Sequence, residues 1–149
     1  MRDHLAAIAA LIPAGIHVYM TEADRPDYDP ADWSAEWTAE QREAWTLPDR
    51  YVILSAPTMP ETSMTINGTR RHISSYVQVK AVGTSDRQSR WVHEQVRTAL
   101  DPVGGARPVV EGYTTHLHLG PTGIHTVDRD VTPHRFWASD SYRYSANPL

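Results

Sequence analysis

The segment from His72 to Pro102, HISSYVQVKAVGTSDRQSRWVHEQVRTALDP, changes its period once and abruptly. Its first part alternates, with Ile73, Ser75, Val77, Val79 and Ala81 on one side of an extended chain and His72, Ser74, Tyr76, Gln78 and Lys80 on the other. Its second part has helical spacing, with Val92, Val96, Ala99 and Leu100 in one stripe. Between them Gly83-Thr84 turns the chain, Ser85 is placed to cap a helix, and Gln88 stands where a capping box needs it. Pro102 and Gly104-Gly105 end the helix. A half-buried strand feeding directly into an amphipathic helix must lay that helix on its own sheet, which points to an α+β fold.

The flanking sequence extends this plan. Leu5, Ile8, Ala9 and Ile12 recur at helical spacing until Pro13-Ala14-Gly15, and IHVYM then alternates as a strand. YVILSAP reads as a short buried strand, and Asn67-Gly68 inside PTMPETSMTINGTRRHIS is a two-residue hairpin signal, so a long hairpin or loop is expected over 57–71. Downstream, Tyr113, Thr115, Leu117 and Leu119 alternate with Thr114, His116 and His118. Gly120-Pro121-Thr122-Gly123 reads as a turn, IHTVDRDVT follows, and Phe136, Ala138, Asp140, Tyr142 and Tyr144 share one side of a last strand. The expected order is helix, strand, inserted helix, two strands, helix, three strands. All 149 residues form one domain, with a small mixed or antiparallel sheet and two main helices packed on it.

Charge is uneven. Thr21 to Arg50 carries nine acids against three arginines, out of 18 acids and 14 basic residues in the chain. Asp29, Pro30, Asp32 and Glu36 suit a helix start inside this insertion, and Trp33, Trp37 and Trp45 can share one of its faces, either capping the chain's own sheet or docking on a neighbouring subunit. The remainder is near neutral, unlike the concentrated basic footprint of a nucleic-acid-binding domain. No apolar run reaches the roughly 20 residues that span a bilayer, and MRDHLAAIAALIPAG lacks the basic start of a signal peptide, so synthesis in the cytoplasm is expected.

Residues for chemistry are sparse. Without cysteine there are no disulfides, thiolate ligands or thiol nucleophiles. His116 and His118 project to one face of a strand, as pairs of metal ligands do, and His125, Asp128, Asp130 or His134 would have to supply a third. Alternation puts the pair away from the core, so surface or interface imidazoles are the expectation. His72-Ile73-Ser74 is half of a two-histidine phosphoesterase motif whose second half is missing, and no nucleophile elbow or phosphate loop occurs. Asp128 and Asp130 read as solvated, while Arg70 and Arg71 after the hairpin turn could reach acids of an adjacent subunit. No catalytic residue, metal or cofactor is expected.

Taken together, the N-terminal helix, IHVYM, YVILSAP, the long loop, the strand–helix unit with Trp91 near the helix start, and the closing DRDVTPHRFWASDSYRYSANP resemble the tail terminator, or tail completion, family of long-tailed bacteriophages. The acidic segment 21–50 departs from that family's shorter connection. The resemblance implies a structural virion protein rather than an enzyme. It would form a hexameric ring at the head-proximal end of the tail, seated on the major tail tube protein, stopping tube growth and joining the neck or head-completion protein. DNA would pass through the lumen without sequence-specific binding, and no membrane is involved. Trp33, Trp37, Trp45, Asn67, Gly68, Arg70 and Arg71 are the candidate subunit contacts. The alternatives are another neck connector such as a head-closure subunit, a sheet-edge adaptor, and a metal-dependent hydrolase using His116 and His118.

Overall fold

The strand Arg71–Gly83 is the axis of the fold, and what pairs with it decides where everything else lies. The structure, a computed structural model, describes residues 2–20, 38–39, 48–56, 61–64, 71–128 and 134–149. In chain order these form α1 (Arg2–Ala9), β1 (His17–Tyr19), β2 (Arg50–Ser55), β3 (Glu61–Met64), β4 (Arg71–Gly83), α2 (Asp86–Leu100), β5 (Tyr113–Asp128) and β6 (Arg135–Pro148). The sheet runs β1-β2-β4-β6-β5, with β1 parallel to β2 and the other pairs antiparallel. Strand β3 pairs with β4 beyond the end of β2, on the same edge. This is the α+β mixed sheet with two helices that the periodicity predicts.

One face of the sheet carries both helices. Ile73, Val77, Val79 and Ala81 of β4 are buried there with Val52 and Leu54 of β2, Leu117 of β5, and Tyr142, Tyr144 and Ala146 of β6. Helix α1 contributes Leu5 and Ile8, with Ile12 just beyond it, and α2 contributes Val92, Val96 and Leu100. Burial of the valine, leucine and isoleucine side chains among these stabilises the fold by about 1.5–3 kcal/mol each. Strand β2 is buried on both sides: Tyr51 and Ile53 join Val82 in a second, smaller cluster on the opposite face, against which Tyr19 and Trp137 pack.

The corner between β4 and α2 is tight. Ser85 caps α2 by accepting from the Gln88 amide at 3.2 Å, as a capping box requires, but the Gln88 side chain reaches the amide of Thr84 at 3.0 Å rather than that of Ser85. A Cβ on Gly83 would come within 2.6 Å of the Ser89 nitrogen and 2.8 Å of the Gln88 Cβ, so only glycine lets the first turn of α2 settle on the strand.

Two expectations are corrected. Gly120 to Gly123 do not turn: β5 continues through them, and its partners on β6 shift by one residue between Leu119 and Thr122 and again between Thr122 and His125. Such bulges absorb extra residues in an edge strand, where proline is tolerated because its missing N–H can face outward. The three expected C-terminal strands are therefore two. The expected hairpin is formed by β3 and β4; their pairing, Glu61 with Ser74 through Met64 with Arg71, is symmetric about a point between residues 67 and 68. The Asn67-Gly68 turn itself lies outside the described residues, as does the expected helix carrying Trp33, Trp37 and Trp45.

Gly83→Ala should destabilise the protein by about 1–3 kcal/mol, the usual cost of forcing an atom into a filled site. Gly15→Ala, where a Cβ meets nothing within 4 Å, should leave the denaturant midpoint nearly unchanged.

Candidate functional site

Three groups of polar side chains stand out, one beneath α2, one beneath α1 and one on the helix-free face. Beneath α2, Asp140 occupies a core-facing position of β6 and is 3% exposed. His93 and Arg97, one turn apart on α2, both reach it: His93 Nε2 lies 2.6 Å from Oδ2, and an Arg97 terminal nitrogen donates to both carboxylate oxygens at 3.1 and 3.2 Å. Ser89, a turn earlier, donates to the Ala81 carbonyl at 3.3 Å. These bonds pin the polar side of α2 to the sheet while Val92, Val96 and Leu100 fill the core. Burial first, and the Asp140 carboxylate second, push the Tyr142 hydroxyl above its ordinary range.

Under α1, His4 is buried between the rings of Tyr113 and Tyr144 and shares a 2.6 Å hydrogen bond with the Tyr144 hydroxyl. Burial, reinforced by the nearby N-terminal charge, lowers the His4 pKa, and burial raises that of Tyr144 to about 12. Both groups are therefore neutral partners at neutral pH. Sequence periodicity placed neither His4 nor Asp140 among the working residues; the available signal was a titratable residue at a core-facing position.

The helix-free face is polar outside its small apolar cluster. Tyr76, Gln78, Arg143 and Asn147 are exposed on it, and no described strand side chain of this face is a carboxylate. Lys80 lies over Trp137, 4.5 Å from the ring centre, at the side of an open hollow of about 430 Å³. His116 and His118 lie on this face, away from the core, as alternation predicts; their rings are in contact, with Nδ1 atoms 3.3 Å apart. Of the possible third ligands, His125 pairs opposite Ala138 and Asp128 opposite Arg135 in the backbone register, His134 precedes β6, and Asp130 lies outside the described residues. No group of three metal-binding side chains occurs among the described residues.

The outer edge of β5 is partly closed by its own chain. Ala106 exchanges both backbone hydrogen bonds with Leu117 at 2.8 Å, Asp101 accepts from the Leu119 amide at 3.2 Å, and the Thr115 hydroxyl donates to the Pro108 carbonyl. The segment after α2 thus shields this edge from Thr115 to Leu119, a common way of preventing unplanned strand pairing. Of the candidate subunit contacts, Trp33, Trp37, Trp45, Asn67, Gly68 and Arg70 lie outside the described residues, and Arg71 opens β4 opposite Met64. Comparison with protein-family models and with curated proteins finds no match for the chain.

Asp140→Asn keeps the volume but turns an amide N–H toward donors, and should cost about 1–3 kcal/mol in a denaturant titration. The His4 imidazole gains a proton less readily in the folded than in the unfolded chain, so stability should be complete above pH 6.5 and decline as pH falls below it. His4→Phe should flatten that part of the stability–pH curve.

Proposed function

We propose that the chain is a ring-forming structural subunit of the tail terminator kind, acting at the head-proximal end of a long phage tail. The observation that carries this reading is the β4–α2 unit with its hairpin. The β4–β6 ladder ends at Ile73 with Ala146, and on the opposite edge Arg71 to Ser74 of β4 pair with β3, so the β3–β4 ribbon forms one end of the sheet. A two-stranded ribbon at the end of a one-layer sheet is suited to a head-to-tail contact with an identical neighbour, and such contacts close into rings when the rotation allows. The shielding of β5 narrows the choice, since strand addition over Thr115 to Leu119 is blocked and contacts must use other edges or the hairpin end.

In this reading one side of a sixfold ring matches the last ring of the tail tube protein. The other side presents a different surface to the neck protein, so tube growth ends because the repeating surface is gone. Nothing in the mechanism calls for a reactive group. The hydrolase alternative has only two imidazoles of a ligand set among the described residues.

Purified tail tube protein polymerised with this chain should give tubes capped at one end and shorter than tubes grown alone, measured by electron microscopy. Unchanged lengths and bare ends would refute the assignment. Arg70→Glu combined with Arg71→Glu should remove capping while leaving the circular dichroism spectrum and unfolding midpoint intact.

A further inference from the structure

The contact between His116 and His118 is narrower than alternation alone requires. His116 Nε2 lies 3.2 Å from the carbonyl oxygen of Gly104, and that oxygen can only accept, so Nε2 carries the ring's proton and Nδ1 is a bare lone pair. The lone pair faces His118 Nδ1 at 3.3 Å. The space behind the His116 ring is narrow as well: Gly105, at φ +77°, sits so close that a Cβ there would lie 2.7 Å from Nε2.

We propose that this pair is a two-imidazole site for a divalent transition metal of the nitrogen-preferring kind, Zn²⁺ foremost, with water in the remaining positions. Two nitrogens 3.3 Å apart, each bonded to zinc at about 2.0–2.1 Å, subtend an angle of about 107° at the ion, close to tetrahedral. Without metal, His118 donates its Nδ1 proton to His116. With metal, that proton moves to Nε2 of the same ring and a modest rotation about each χ2, a soft torsion, turns both lone pairs to a common point. The Gly104 carbonyl is the outer partner that metal-bound imidazoles regularly have, and it sets the tautomer in advance. The imidazole nitrogens select against ions such as Mg²⁺ and Ca²⁺, which prefer oxygen ligands, while the exposed Arg143, opposite His118 on β6, opposes any dication and limits the affinity.

The test is calorimetric titration of the purified chain with Zn²⁺ and with Mg²⁺ at about pH 7.5, alongside imidazole nitrogen NMR. The expected result is one zinc per chain, shifted Nδ1 resonances of His116 and His118, and no response to Mg²⁺. His118→Ala should weaken binding by more than the 10–100-fold typical of losing an outer partner, and Gly105→Ala, which displaces the His116 ring, by about tenfold. His72→Ala, on the same face, should change nothing. Zinc binding that persists in both His116→Ala and His118→Ala, or the absence of any zinc binding by a chain whose NMR spectrum is folded, overturns the proposal.

Discussion

The closeness with which α2 approaches β4 sets the geometry of the molecule. At Gly83 the helix backbone is near enough to exclude a single Cβ, and there the Ser89 hydroxyl is bonded to the Ala81 carbonyl. Farther along, His93 and Arg97 hold the buried carboxylate of Asp140. The helix is thus fixed at its start by contact, in the middle by charge, and along its length by the apolar stripe that closes the core. Every other strand takes its place from β4, which pairs with β2 and β3 on one edge and β6 on the other.

Because both helices lie on one face, the opposite face is left with a different character. Its apolar patch around Tyr51, Ile53 and Val82 gives way to serines, threonines, histidines and the cationic Lys80 and Arg143. The long strand that would invite uncontrolled pairing, β5, is shielded along its first part by Ala106 and Asp101. A subunit built to meet copies of itself needs this selectivity, since an edge open along its full length would favour filaments or aggregates over a closed ring. The His116–His118 pair adds a local chemical feature to the same face without depending on the assembly reading.

Much of this was legible before the structure. Alternation gave the correct faces of β4, β5 and β6, helical spacing gave the buried stripe of α2, and Ser85 was recognisable as its cap. The misreading at Gly120-Pro121 has a physical cause: these residues usually punctuate a chain, and only the partner strand β6, continuous from Arg135 to Pro148, shows that they are absorbed as bulges instead. Alternation put Asp140 on one side of its strand with Ala138, Tyr142 and Tyr144 but could not say what would neutralise it, because its partners lie 43 and 47 residues away. In the same way alternation gave the face of His116 but not the carbonyl behind it, which a glycine loop twelve residues upstream delivers.

In the proposed function the chain works through association of copies, with shape rather than a reactive group as the working part. Light scattering of the purified chain across a wide concentration range, combined with electron microscopy of the same samples and of tube ends mixed with it, addresses this most directly. A six-membered annulus, free or seated on a tube end, is the predicted result. A folded monomer at every concentration, with tube ends left bare, would contradict it.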